Sequence, residues 1–196
     1  MTFKLIVIGT SLGGLNAVQV LLKSLPASFL TPVAVVLHRH KSSDESLIVL
    51  LQLYSKLHIK EAQDKEDILP GYVYIAPADY HLLIESDNKT QNPHFALSID
   101  DPVTYARPSI DVLFETAADA YGKKVIGVLL TGANHDGVQG LAKIKAKGGK
   151  TVVEEPSTAA CSIMPQAAIV AGVAEKILPL TEIARFLVKI CDFQSE

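Results

Sequence analysis

The chain has 196 residues, of which 48% are hydrophobic and 20% charged, and its 18 Lys and Arg against 21 Asp and Glu give a net charge of −3. This composition predicts one globular domain over residues 1–196 and excludes extensive disorder, and without a dense basic run it also excludes nucleic acid as a partner. No apolar stretch approaches the ~20 residues of a membrane-spanning helix and the chain opens on a strand-like run, so we expect a cytoplasmic protein without membrane insertion.

Apolar β-branched runs alternate with amphipathic stretches, which is typical of βαβ units and a parallel sheet. The predicted strands cover residues 4–8, 33–38, 125–130 and 150–154. The predicted helices cover residues 15–24, 44–54 (capped by Ser43 or Asp44), 109–121, 137–147, 165–171 and 180–190. Between residues 58 and 100, turn clusters separate YVYIAP, HLLIES and HFALSI, which predicts antiparallel hairpins. The expected fold is α/β, a doubly wound, mostly parallel sheet flanked by helices, with an added antiparallel hairpin.

The segment GTSLGG, residues 9–14, follows a predicted strand and opens a helix, and three interpretations compete for it. It could bind phosphate at the helix N-terminus, but its glycine spacing fits neither the dinucleotide nor the Walker pattern. Ser11 could merely cap the helix. Alternatively, Gly9 to Gly13 forms a G-x-S-x-G nucleophile elbow, a sharp turn that exposes the serine hydroxyl.

A nucleophilic serine needs a base and a group that orients the base, and two other predicted strands supply candidates. One strand ends at His38, and strand 125–130 leads into TGANHDG, where Asp136 directly precedes a helix. The carboxyl ends of parallel strands share one edge of a sheet, so Ser11, His38 and Asp136 can converge there. Their chain order differs from that of common α/β-hydrolases, but geometry and not order defines a triad.

Rival residues near the proposed triad have simpler interpretations. His40 and His135 lie in loops, where histidines are mostly solvated or structural, whereas His38 lies at a strand end. Asp111 falls in the first turn of helix 109–121, where the helix dipole favours a carboxylate.

Metal and thiol chemistry are not predicted. His81 and His94 lie in the hairpin region without Cys or carboxylate residues at ligand spacing. Cys161 has no neighbouring motif that would activate its thiol, and we expect it to be a small buried hydrophobic residue.

Six segments, in one order along nearly the whole chain, match the motifs of one family. They are IGTSLGG at 8–14, VVLHRH at 35–40, PGYVYIAPADYHLLI at 70–84, ARPSIDVLFETAA at 106–118, VIGVLLTGANHDGVQGL at 125–141 and SIMPQAAIVAGVAEKILPL at 162–180. Together they resemble the catalytic domain of the CheB family of chemotaxis receptor methylesterases. In this resemblance the nucleophile corresponds to Ser11, the base to His38 and the acid to Asp136.

The resemblance implies a serine hydrolase that demethylates glutamate methyl esters on the cytoplasmic helices of chemoreceptors and releases methanol. Some family members also deamidate receptor glutamines. It implies no cofactor. Family members usually carry an N-terminal receiver domain, whereas this chain starts almost at its first strand, so we expect no receiver domain, activity without a phosphodonor, and any regulator acting in trans.

Three departures from the family pattern adjoin the predicted site. Where the family has Thr after the nucleophile, this chain has Leu12, and where the family has Met-Gly before the acid, it has Ala133-Asn134. The family's Q-H-M-P is replaced by the run from Leu37 to His40. Since the family's oxyanion donors in this area are backbone N–H groups, those of Leu12 and Ala133 are expected to serve.

Alternatives remain open at the level of sequence. The same triad would serve an amidase, the substrate could be another methylated protein, or the chain could be a non-catalytic CheB-like binding module. Arg107 either donates hydrogen bonds that hold the structure or attracts an acidic receptor surface.

Overall fold

The computed structural model describes residues 2–38, 46–86 and 92–192, and all elements below lie in those ranges. Its strands are β1 (Leu5–Thr10), β2 (Val33–Leu37), β3 (His58–Glu61), β4 (Tyr72–Ile75), β5 (His81–Ser86), β6 (Pro93–Ser98), β7 (Val125–Leu129), β8 (Lys150–Glu154) and β9 (Lys176–Leu178). Its helices are α1 (Gly14–Ser24), α2 (Ser46–Gln52), α3 (Ile110–Tyr121), α4 (Val138–Ala146), α5 (Ile163–Val170) and α6 (Leu180–Asp192). None of these helices is long and apolar enough to cross a membrane.

Seven strands form one sheet in the order β3-β4-β2-β1-β7-β8-β9, and each neighbouring pair is parallel. Strands β5 and β6 form a separate antiparallel hairpin. The chain runs outward from β1 through β2 and then returns to place β7 on the other side of β1. This reversal opens a crevice at the carboxyl ends of β1, β2 and β7, where sheets of this kind bind ligands. The predicted doubly wound fold with an added hairpin is confirmed.

Each face of the sheet buries its own apolar core. On one face, β-strand side chains pack against α1, α2 and α6, as Leu22, Leu51 and Leu187 exemplify. On the other face, α3, α4, α5 and the hairpin cover the sheet, with Phe114 and Phe95 fully buried. The central strands are buried on both faces, which explains why their sequences are continuous apolar runs without alternation.

The structure corrects two sequence-based expectations. The piece YVYI was predicted to form an antiparallel hairpin, but as β4 it lies inside the parallel sheet between β2 and β3. Three of its four residues are buried, as expected for a strand covered on both faces. Strand β9 was not predicted, because its three residues are largely exposed at the edge of the sheet. The predicted cap of α2, Ser43 or Asp44, lies outside the described residues.

Candidate active site

Three strand ends bring Ser11, His38 and the loop that holds Asp136 to one edge of the sheet. Ser11 follows β1 and its N–H donates to the carbonyl of Thr131, 2.9 Å away, in the loop after β7. His38 follows β2, and its N–H donates to the carbonyl of Thr10 at 3.0 Å. Ser11 and His38 line one open groove of about 740 Å³, whose other walls include Leu12, Leu15, Leu47 and Leu50.

The turn that carries Ser11 depends on glycine. Gly13 has a φ of +81°, in the left-handed region that L side chains rarely adopt, and a Cβ at Gly9 would lie 2.2 Å from the Ile110 side chain. The first residue outside α1 is Gly13, and no side chain caps that helix. The hypothesis that Ser11 is merely a helix cap is therefore wrong. Within the described part of the chain, its half-buried hydroxyl makes no hydrogen bond.

The imidazole of His38 lies between two side chains of one loop. Its Nε2 is 2.9 Å from Oδ2 of Asp136, and its Nδ1 is 3.3 Å from Nδ2 of Asn134. The side chain of Asp136 is fully buried and that of His38 is 13% exposed. No hydrogen bond joins His38 to the Ser11 hydroxyl, although such contacts are often long before substrate binds.

Asp136 is held by an unusually complete set of donors. Besides His38, it accepts hydrogen bonds from the Ser109 hydroxyl and from the backbone N–H groups of Ile110 and Asp111, at 2.7 to 2.9 Å. These two N–H groups belong to the first turn of α3, where the helix dipole favours negative charge. Burial opposes ionisation, but the hydrogen bonds from His38 and from the backbone outweigh it and hold the pKa of Asp136 below its usual range.

His81 supports this arrangement from behind. Its Nδ1 accepts a hydrogen bond from the N–H of Ser109, 3.2 Å away, and its Nε2 donates to the carbonyl of Asp101 at 3.1 Å. Ser109 in turn caps α3, because its hydroxyl oxygen accepts from the N–H of Val112. The buried His81 is thus structural and fixes the residue that contacts Asp136.

A second network, not anticipated from the sequence, fixes the loop after β7. Buried Glu154 accepts a 2.8 Å hydrogen bond from the N–H of Thr131. The Thr131 hydroxyl lies 2.8 Å from the carbonyl of Leu12 and accepts from the N–H of Cys161, also at 2.8 Å. Burial raises the pKa of the Glu154 carboxyl above its usual value, with the Thr131 N–H opposing it. Thr131 therefore joins the serine turn to two distant segments.

Several backbone N–H groups around this loop are unpaired among the described residues. Those of Leu12, Gly13, Ala133 and Asn134 donate to no protein acceptor, whereas those of Ser11, Gly14 and Gly132 are all engaged. Unpaired N–H groups aimed at a reacting centre are what an oxyanion hole requires. A Cβ on Gly132 would lie 3.1 Å from that of Ser11, so the loop and the serine are in close contact.

The rival residues that the structure describes do not join the site. His135 is exposed beside Asp136, His94 lies 3.8 Å from Glu85 in the hairpin, and His40 is outside the described residues. Cys161 is half-buried, and not buried as expected, because it lies in a surface loop that Thr131 holds through the backbone. The described ranges contain no group of three or more His, Cys, Asp or Glu that could hold a metal ion.

Arg107 is a structural donor. Its Nε and Nη2 donate to Oδ1 of Asp79 at 3.1 and 2.8 Å, and its Nη1 donates to the carbonyls of Ile99 and Asp100 at 2.8 and 3.0 Å. These bonds tie together three loops and occupy the guanidinium. Of its two sequence interpretations, the structure supports the structural one.

Asp111 is a buried carboxyl whose titration should be visible in stability. Burial raises its pKa to about 6, and the charge of Asp136 adds to this, against the hydrogen bond from the N–H of Gly140. The folded state holds the Asp111 proton more tightly than the unfolded chain does. The contribution of this group to the free energy of unfolding is therefore complete below about pH 4 and is lost as the pH rises through 6. The side chain of Asp111→Asn stays neutral at every pH. As the pH is raised from 4.5 to 8, we expect the free energy of unfolding of this variant to rise relative to the wild type by on the order of 2 kcal/mol, or about 4–8 °C in melting temperature.

Thermal unfolding at these two pH values checks this expectation. Asp119→Asn is the matched control on the same helix, because the hydrogen bond from Lys143 lowers the pKa of Asp119, so that removing its charge brings no gain at pH 8. A melting-temperature difference between Asp111→Asn and wild type that does not change with pH would contradict the assigned proton.

Comparison with known proteins agrees with this arrangement. The sequence pattern of the family described as CheB methylesterase matches residues 6–187. A protein of Leptospira interrogans named putative protein-glutamate methylesterase/protein-glutamine glutaminase is 47% identical over 97% of this chain and 96% of its own length. A Thermotoga maritima protein named protein-glutamate methylesterase/protein-glutamine glutaminase is 36% identical, and the match covers 95% of this chain but 54% of that protein.

A solved structure supports the same assignment. The crystal structure of the Thermotoga maritima CheB methylesterase catalytic domain superimposes with a TM-score of 0.91, at 36% sequence identity, over 97% of this chain and all of that one. The fold, the order of the motifs and the residues gathered at the sheet edge thus agree with one assignment. The chain belongs to the CheB methylesterase family.

Proposed function

We propose that this chain is a protein-glutamate methylesterase that hydrolyses glutamate methyl esters through a serine acyl-enzyme. The observation that carries the proposal is the 2.9 Å contact of buried Asp136 with Nε2 of His38, beside a groove that both His38 and Ser11 line. This contact supports the roles of Ser11 as nucleophile, His38 as base and Asp136 as orienting carboxylate. The names of the relatives from Leptospira interrogans and Thermotoga maritima point to the same reaction.

In this proposal the two nitrogens of His38 have different tasks. An ionised Asp136 only accepts hydrogen bonds, so the facing Nε2 carries the proton in the neutral ring. Nδ1 is then the basic nitrogen. In the first step, Nδ1 takes the proton of Ser11 as Oγ attacks the ester carbonyl carbon, and Asp136 stabilises the imidazolium.

The remaining steps follow with balanced protons. The N–H groups of Leu12 and Ala133 hold the tetrahedral oxyanion. Its collapse breaks the bond to methoxide, which leaves as methanol with the proton from His38, and a glutamyl ester of Ser11 remains. His38 then deprotonates a water molecule that attacks this ester, and the proton returns to Ser11 as the glutamic acid side chain leaves. The acid then releases its remaining proton to solvent and becomes the carboxylate.

The walls of the groove suit an ester better than its product. Beside Ser11 the groove presents the side chains of Leu12, Leu15, Leu47 and Leu50. A methyl ester is neutral and tolerates apolar surroundings, whereas the carboxylate formed from it is costly to keep away from water. The expected substrates are methylated glutamates on cytoplasmic chemoreceptor helices, which would place the reaction in the cytoplasm. The relatives' names favour glutamine deamidation as a second activity of the same site.

Two assays run in parallel test the proposal. One measures methanol release from methylated chemoreceptor membranes, and the other measures ammonia release from unmodified receptors that carry glutamine. We expect methanol release that scales with the amount of protein, and labelling of one residue, Ser11, by a serine-directed phosphonate. Labelling with ammonia release alone would make the chain a deamidase. Absence of both labelling and product would instead support the CheB-like binding module.

A further inference from the structure

The side chain of Asn134 is oriented by its neighbours, which settles its role toward His38. The backbone N–H of Asp136 lies 3.2 Å from Oδ1 of Asn134 and can only donate, so the carboxamide oxygen must face it. The amide group Nδ2 therefore points at Nδ1 of His38, 3.3 Å away. The hydrogen bond runs from Asn134 to the ring.

Two neighbours thus select the same tautomer of His38 from opposite sides. The carboxylate of Asp136 requires a proton on Nε2, and the amide of Asn134 requires a lone pair on Nδ1. In the neutral ring this is the tautomer that a base needs. Its basic lone pair, however, is occupied by a donor.

Ser11 and Asn134 then compete for one lone pair. The Ser11 hydroxyl has no hydrogen-bond partner among the described residues, and Nδ1 is the ring nitrogen left to receive its proton. Once Nδ1 is protonated, it faces the amide donor, and two donors cannot bond each other. For Ser11 to be deprotonated, the amide of Asn134 must move away.

A second cavity, which Ser11 does not line, gives room for that movement. Asn134 is half-buried and lines, with His38, this cavity of about 460 Å³, which Thr104, Tyr105 and Arg107 also line. His38 is shared by this cavity and by the groove of Ser11. The amide can therefore rotate into the second cavity while the ring keeps its bond to Asp136.

We propose that Asn134 is a positioning residue that holds the basic nitrogen of His38 in the unliganded enzyme and releases it to Ser11 when its amide swings into the neighbouring cavity. The proposal rests on the proposed function, since it assigns Nδ1 as the base toward Ser11. The amide has two opposing effects: it fixes the productive tautomer, and it lowers the reactivity of Ser11 until it moves.

The test compares Asn134→Ala with wild type by the rate at which a serine-directed phosphonate labels Ser11, from pH 5 to pH 10. Loss of one hydrogen bond that must be broken before proton transfer is expected to raise the plateau rate about 3- to 10-fold. Because that bond stabilises the neutral ring, its loss should also move the acid limb of the profile to higher pH. A merely structural role would lower the rate without moving the limb.

Two further variants sharpen the result. His135→Ala, on the same loop but exposed, should label like the wild type. Asn134→Asp, whose carboxylate would accept from a protonated Nδ1, should move the acid limb further than Asn134→Ala does. All three variants keep the other titratable groups that face the ring in the described residues. These are Asp136, beside Nε2, and Tyr105 and Arg107, which line the cavity with His38.

Nitrogen-15 NMR of the imidazole gives a readout that does not depend on activity. The wild type should show a protonated Nε2 and a hydrogen-bonded Nδ1, and Asn134→Ala should show an Nδ1 resonance moved toward that of a free lone pair. An unchanged or slower plateau rate, an unmoved acid limb or an unmoved Nδ1 resonance each overturns the proposal. A wild type that is not labelled at all but shows these resonances would instead refute the proposed function and leave Asn134 as a tautomer-fixing residue only.

Discussion

Ser11→Ala is expected to abolish methanol release, with a loss of about 10⁴-fold or more, and to abolish labelling by a serine-directed phosphonate. The variant removes the attacking oxygen, and Ser46, the other serine that lines the groove, begins α2 and does not lie in the strand-to-helix turn. The Ser11 hydroxyl makes no hydrogen bond in the described residues, so its removal leaves no buried group unpaired. The free energy of unfolding should change by less than about 1 kcal/mol. Methanol release and thermal unfolding measured on the same preparation check both halves.

Ser24→Ala is the matched control, because Ser24 ends the helix that Ser11 precedes and its hydroxyl donates to the carbonyl of Val20. This variant should hydrolyse the ester at the wild-type rate. Hydrolysis that persists in Ser11→Ala, or a phosphonate adduct on another serine, would show that the nucleophile has been assigned wrongly. A folded but inactive Ser11→Ala that still takes up the label would show that labelling does not report on the site.

The central strands were predictable because burial leaves a direct trace in sequence. Strands β1, β2 and β7 are covered on both faces, so each is a continuous apolar run that cannot belong to an exposed loop. The same rule applies to β4, but the turn cluster before Tyr72 is also typical of a hairpin, so its apolar run alone does not place it in the main sheet. Edge strand β9 leaves no such trace, since its residues face solvent.

The candidate triad was predictable to the extent that it depends on topology. Parallel strands end at one edge, so residues directly after β1 and β2 must lie close together whatever the loops do. The roles of Thr131, Glu154 and Asn134 were not predictable in the same way, because they are hydrogen bonds between segments far apart in the chain. No local pattern distinguishes a threonine that joins three loops from one that faces solvent.

Sequence also left the two nitrogens of His38 undistinguished. A histidine at a strand end can present either nitrogen to a carboxylate, and the choice depends on the ring's orientation in space. The contact between Nε2 and Asp136 decides this, and the donor on Nδ1 becomes evident only with it. The departure from Gly to Asn at residue 134, visible in the sequence as a difference, thus acquires a chemical meaning only from the structure.

His38→Gln should lower the rate of methanol release about 10⁴-fold or more. Glutamine can still donate an amide hydrogen to Asp136, but it has no nitrogen that accepts a proton from Ser11 near neutral pH. For the same reason, wild-type activity should decline on the acid side, because a protonated imidazole cannot act as a base. The rate of methanol release in the wild type and in His38→Gln, measured across the pH range, checks both expectations.

His40→Gln and His135→Gln separate a base from a nearby histidine. His40 was the rival in the sequence and lies outside the described residues, and His135 is exposed on the loop that carries Asp136. Both variants should keep activity within a few-fold of wild type, since neither residue is needed to hold Asp136 or to take the serine proton. Equal losses in His38→Gln and His40→Gln, or a greater loss in His40→Gln, would move the base to His40. In that case the contact between His38 and Asp136 would be a structural one, and Ser11 would take its base from the segment that follows β2.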